Sequence, residues 1–125
     1  MTDKTLRIGI ATFDQMKART MAIARGEQKP GKEDPTVWFT SLESLAKVLS
    51  ARNQALLDLI AQRKPGSLAE LETLSGRAKS NLSRTLKTMA RYGLVELEDG
   101  EQGRIIPRVP YDHIVLDLPL LSRAS

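Results

Sequence analysis

Leu6, Ile8 and Ile10 alternate with Arg7 and Gly9, the period of a half-buried strand. Thr12 then stands where a helix cap belongs, and the spacing predicts a helix from about 13 to 25, with Phe13, Met16, Thr20 and Ile23 along one side and Gly26 as its stop. Residues 27–35 hold two prolines, one glycine and five charged side chains, the composition of a solvated linker. Val37-Trp38-Phe39 suits a short strand or an apolar lead-in, and Trp38 and Phe39 suit packing over the core better than the lining of a small-molecule pocket. Thr40-Ser41-Leu42-Glu43 has capping-box spacing, and Leu42, Leu45, Ala46 and Leu49 follow at helical period. A further helix over about 51–62 turns Leu56, Leu59 and Ile60 inward, and Pro65-Gly66 closes it with a turn.

Ser67-Leu68-Ala69-Glu70 repeats the capping-box spacing ahead of a short helix carrying Leu68, Leu71 and Leu74. Ser75-Gly76-Arg77 breaks that helix. The next, from about 78 to 92, is sharply two-sided: Ala78, Leu82, Leu86 and Met89 share one arc, while Ser80, Arg84, Lys87 and Arg91 lie opposite. Gly93 stops it. Leu94 to Glu98 and Arg104 to Val109 then read as two strands of a hairpin, with Asp99-Gly100 and Gly103 between them; Pro107 restricts the return strand to an edge or a short run. Ile114, Leu116, Leu118 and Leu120 alternate in the tail, which is expected to be buried, against either Leu6–Ile10 of the same chain or a second subunit. The expected architecture is α+β and mainly helical: an N-terminal strand-helix arm (1–26), a linker (27–35), a helical domain closed by the hairpin (36–110) and an apolar tail (111–125).

Composition narrows the chemistry. The 125 residues include no cysteine and one histidine, His113, so thiolate metal sites, thiol catalysis and His-based relays have almost no material. His113 beside Asp112 is a surface histidine with no nucleophile motif near it, and no glycine loop suits a phosphate. Neither an enzymatic activity nor a cofactor is expected. Aromatics, at 4%, are too few for a stacking platform on single strands. No apolar run nears the roughly 18 residues that span a bilayer, and the opening Met1–Thr5 leads to only five mixed residues, not a signal peptide; the expected address is the cytoplasm, at the nucleoid, with no membrane partner.

Charge points to a partner. Of 19 Lys and Arg residues, five (Arg77, Lys79, Arg84, Lys87 and Arg91) fall in one segment that contains no acid, and the remaining fourteen face 15 acids. The net charge of +4 therefore resides in one helix. A local excess of this kind suits a polyanion. A short helix, a glycine turn and a longer helix with a cationic outer side form a helix-turn-helix, and the hairpin after it makes the motif winged. Such a helix fits the major groove of B-DNA. Ser80, Asn81, Ser83 and Arg84 are the candidates for base edges or nearby phosphates, with Arg84 suited to a bidentate contact to guanine. Lys79, Lys87 and Arg91 are assigned to phosphates, which set register and affinity without reading sequence, and Arg77 is counted among the DNA-binding cations. Arg104 is a candidate for a minor groove.

Gly76-Arg77-Ala78-Lys79-Ser80-Asn81-Leu82-Ser83-Arg84-Thr85-Leu86-Lys87-Thr88-Met89, followed by Tyr92-Gly93-Leu94-Val95, resembles the recognition helix and wing entry of bacterial and archaeal winged-helix regulators of the MarR and ArsR type. The resemblance covers about residues 50–109 and implies a dimeric, operator-binding repressor of double-stranded DNA. Including the start at Leu6–Ile10, the chain is also similar to small MarR-like antitoxins, which implies a second reading: neutralisation of a protein toxin through the terminal segments, with the helix at 13–25 as the grip, and autoregulation through DNA. A third reading is a winged module that binds only protein. Two features depart from the family pattern. Ala78 stands where Ser or Thr often caps the recognition helix, and Glu96, Glu98, Asp99 and Glu101 put acid on the wing. The thiolates of ArsR-type metal sensing are absent, so that function is not implied. A two-fold dimer would set its recognition helices about 34–36 Å apart on a pseudo-palindromic site.

Overall fold

A computed structural model describes residues 4–29, 31 and 34–118. Ten regular elements follow in chain order among the described residues: β1 (Thr5–Ile10), α1 (Phe13–Ala24), β2 (Val37–Phe39), α2 (Leu42–Val48), α3 (Ala51–Arg63), α4 (Leu68–Ser75), α5 (Lys79–Arg91), β3 (Glu96–Asp99), β4 (Ile105–Arg108) and β5 (His113–Asp117). The fold is α+β, about half helical, with two small sheets. The chain divides into two compact units, Met1–Ala46 with Tyr111–Ser125, and Lys47–Pro110. The arm, the linker and the tail, three separate segments in the sequence reading, thus fall in one unit. The division lies inside α2.

The first unit is built on a parallel sheet in the order β2-β1-β5. Parallel neighbours need a crossover, and α1 supplies it between β1 and β2. The tail's choice is resolved within the chain: β5 runs beside β1, with Thr5 opposite His113 and Gly9 opposite Asp117. Of the tail's alternating residues, Leu120 lies outside the described residues. As the middle strand, β1 buries Ile8, Gly9 and Ile10 in succession, not every second residue. Gly9 has no room for a side chain, because a Cβ there would sit 2.4 Å from Cζ3 of Trp38 and 2.9 Å from Cγ of Pro35.

Of the segment read as a solvated linker, Glu27, Gln28, Lys29 and Gly31 are exposed, and Asp34 near its end is held. Asp34 accepts from the Arg19 guanidinium at 2.6 Å and from the Gly31 N–H at 2.6 Å. Arg19 also lies over the Trp38 ring, 5.5 Å from its centroid. Thr12 and Gln15 close a complete capping box on α1, yet that helix buries no residue. The cap of α2 falls one residue later than the Thr40–Glu43 spacing suggests: the Ser44 N–H donates to Ser41 Oγ at 3.1 Å.

The second unit owes its core to three helices and the approach to the hairpin. Ser50 caps α3, which buries Leu56, Leu57 and Ile60; Leu57 takes the place expected for Leu59, which is half-buried. Ser67 caps α4 by accepting from the Glu70 N–H, while the Glu70 carboxylate reaches one residue further back, to the Gly66 N–H at 2.7 Å. Leu68 and Leu71 face inward. Gly76, at φ 73°, takes the left-handed turn that ends α4, a conformation costly for any residue with a Cβ. Leu82, Leu86 and Met89 of α5 are fully buried with Leu94 and Val95. Leu94 and Val95 serve as core ahead of the hairpin, whose antiparallel strands β3 and β4 pair from Glu96–Arg108 to Asp99–Ile105, with Pro107 opposite Leu97.

Candidate functional site

The candidate site is the outer surface of α5. Its inner side is fixed by Leu82, Leu86 and Met89, each 1% exposed or less, so the rotation of the helix about its axis is set by the core. That rotation turns Lys79, Ser80, Arg84, Lys87 and Arg91 outward, where all five are exposed; Asn81 and Ser83 flank them, half-buried. Among the described residues the ion pairs are Arg19–Asp34 and Arg108–Glu98, neither on α5. Among the described residues, the outward cations of α5 thus have no carboxylate within ion-pair distance.

The start of α5 lacks a side-chain cap from Ala78. A carboxylate from the preceding helix serves instead: Glu72 Oε2 accepts from the Lys79 N–H at 3.1 Å. An anion at this end also suits the positive pole of the helix dipole. This interaction links α4 to α5 across the glycine turn.

Arg77 behaves differently from the other cations. It is 9% exposed, and its guanidinium is spent inside the protein. Nε donates to Asn81 Oδ1 at 2.8 Å, Nη1 to Asn53 Oδ1 at 3.2 Å and Nη2 to Thr85 Oγ1 at 3.1 Å. Burial holds this guanidinium below its ordinary pKa, and the nearby Arg52 adds to the effect. Of the cations assigned to DNA, Lys79, Arg84, Lys87, Arg91 and Arg104 are exposed, whereas Arg77 is turned inward. It fastens the first turns of α5, through Asn81 and Thr85, to α3, through Asn53. Asn81 shares that bond, so its amide is partly committed before any ligand arrives.

Beside α5 runs an open groove of about 280 Å³ lined by Lys47, Val48, Asn53, Arg84, Thr85, Thr88 and Met89. Sequence reasoning did not single out Lys47 or Asn53. Asn53 sits in the first turn of α3 and also donates to the Val48 carbonyl at 2.9 Å. Nothing at its own position signals a bond to an arginine 24 residues onward.

The hairpin divides its two arginines. Arg108 Nε donates to Glu98 at 2.7 Å and is neutralised, whereas Arg104 is exposed just after the 3-10 turn Glu101–Gly103. The acidic residues Glu96, Glu98, Asp99 and Glu101 are all exposed on this element. Among the described residues no group of three or more His, Asp or Glu side chains is placed to hold a metal ion, and no helix is long and apolar enough to cross a membrane.

No curated protein and no solved structure matches the chain. A family model described as HVO_A0114 matches residues 48–116, a span from the end of α2 through the helices α3, α4 and α5, the hairpin and most of β5. That is more than half of the 125 residues, and the chain belongs to the HVO_A0114 family.

Proposed function

We propose that this protein is a sequence-specific DNA-binding transcriptional regulator, acting as a repressor, in which α3, α4 and α5 with the β3–β4 hairpin form a winged helix-turn-helix. The observation that carries the reading is the outer face of α5: exposed, cationic, without ion pairs among the described residues, and held in place by a fully buried opposite side. A helix of this cross-section suits the major groove, where its long cations reach phosphates while shorter groups near its start reach base edges.

Arg84 occupies the position for a bidentate contact to guanine, with Ser80, Asn81 and Ser83 alongside. Lys79, Lys87 and Arg91 serve phosphates. Arg104 is the cation the wing contributes, because Arg108 is engaged by Glu98. Arg77 acts through Asn81 and Thr85 and sets the angle of α5. The acid on the hairpin argues that the wing adds little affinity.

The test is selection of bound duplexes from fragmented or randomised DNA, followed by gel-shift titration of the enriched sequence. The wild-type chain enriches one motif. Arg84→Ala costs about 1–3 kcal/mol on that motif and loses discrimination at one base pair. Retention of no duplex by the folded wild-type chain contradicts the reading.

A further inference from the structure

The outer edge of β5 carries the second proposal. β5 is the last strand of the parallel sheet, and among the described residues nothing pairs with its free side. Ile114, Val115, Leu116 and Leu118 are 37–42% exposed, although such sheets are ordinarily covered and open apolar edges invite pairing. The hydrogen-bonding direction of the strand is fixed at its start. The His113 N–H donates to the Lys4 carbonyl, as does that of Asp112, so in an extended strand the N–H and C=O groups of Ile114 and Leu116 point to the open side.

We propose that a second copy of this chain occupies that edge, with the two β5 strands antiparallel about a two-fold axis at Val115. The strand sequence His113-Ile114-Val115-Leu116-Asp117 is complementary to its own reverse. In this register Ile114 and Leu116 of the partner subunit exchange both main-chain bonds, as do Leu116 and Ile114 of the partner subunit. Val115 meets Val115 of the partner subunit at a non-hydrogen-bonded position. His113 lies opposite Asp117 of the partner subunit, which sets an imidazole donor against a carboxylate at each end of the ladder. Shifting the register shortens the ladder and separates those end pairs. The product is one continuous sheet, β2-β1-β5 followed by its two-fold copy, with both open β5 edges removed. This pairing needs no DNA, so it stands or falls separately from the regulator reading.

The absence of cysteine makes the test direct. Cα atoms directly opposite at a non-hydrogen-bonded pair lie about 4.5 Å apart, within disulfide reach. Full-length Val115→Cys, mildly oxidised, becomes a covalent dimer. Ile114→Cys and Leu116→Cys do not when oxidised separately, and they form a mixed dimer when combined. Sedimentation of the wild-type chain gives twice the 13.8 kDa chain mass, and Val115→Lys, which sets two cations face to face, returns it to the chain mass with unchanged circular dichroism. If Val115→Lys unfolds, the cysteine pattern alone decides. A monomeric wild-type chain, self-cross-linking at all three positions, or β5 taken up only by a different polypeptide overturns the proposal.

Discussion

Helices α1 and α5 are nearly equal in length, 12 and 13 residues, and are held in opposite ways. α1 has the better local signals: a complete Thr12/Gln15 capping box and an acid, Asp14, in its first turn; it buries nothing. α5 has no side-chain cap of its own and no acid in its first turn, yet it buries three large apolar side chains completely. A cap contributes about 1 kcal/mol, whereas each fully buried Leu or Met contributes about 1.5–3 kcal/mol. Packing therefore decides where α5 points, and local bonding keeps α1 helical. The half-buried cation of α1 differs from the exposed ones of α5. Arg19 is paired with Asp34 and lies over Trp38, whereas Arg84, Lys87 and Arg91 are exposed and have no ion pair among the described residues. Free cations on a rigidly placed helix suit a polyanion.

The contrast breaks most visibly at the core. Leu86→Ala should cost about 2–5 kcal/mol in urea unfolding followed by circular dichroism, and DNA retention should fall with it. Phe13→Ala, at a residue 74% exposed on α1, should stay within about 0.5 kcal/mol of wild type. Equal losses would mean that α1 is packed as firmly as α5.

Arg77→Leu comes next. It leaves Asn53, Asn81 and Thr85 without their shared donor, at a cost of about 1–3 kcal/mol in the same unfolding experiment. It should weaken DNA binding without changing the salt dependence, because this guanidinium is committed inside the protein. A slope reduced as for an exposed cation would return Arg77 to the interface.

Thr12→Ala has the smallest effect, about 0.5–2 kcal/mol confined to α1, read as faster amide exchange at Gln15 and its neighbours. Exchange in α5 should be unchanged. Faster exchange in both helices would tie α5 to a cap it does not use.

Much of this fold was legible from local pattern. The Ser67 cap, the Leu68/Leu71 stripe, the glycine turn and the two sides of α5 are all short-range features, and periodicity reports such features well. What escaped was set by distant partners. Leu57 replaces Leu59 because α3 is rotated by the surfaces it packs on, which its own period does not encode. Asp34 sits in a stretch rich in proline and charge, and its ion pair with Arg19, fifteen residues earlier, is not signalled by that stretch's own composition. In the candidate site, helical phase alone places Ser80, Arg84, Lys87 and Arg91 outward, and Lys79 enters as one of the clustered cations of the segment. Arg77 reads as one more cation of the same group until Asn53 is brought beside it, and the split between Arg104 and Arg108 depends on the cross-strand carboxylate of Glu98.

The most direct test of the central claim, that the outer face of α5 lies along DNA phosphates, is the salt dependence of duplex binding for the wild type and for Lys87→Ala/Arg91→Ala. Each phosphate contact contributes about 0.9 to the slope of log K against log salt, so the double variant should lose about two units of slope while keeping its thermal unfolding midpoint. A wild-type chain whose binding ignores salt, or a double variant with an unchanged slope, contradicts the account.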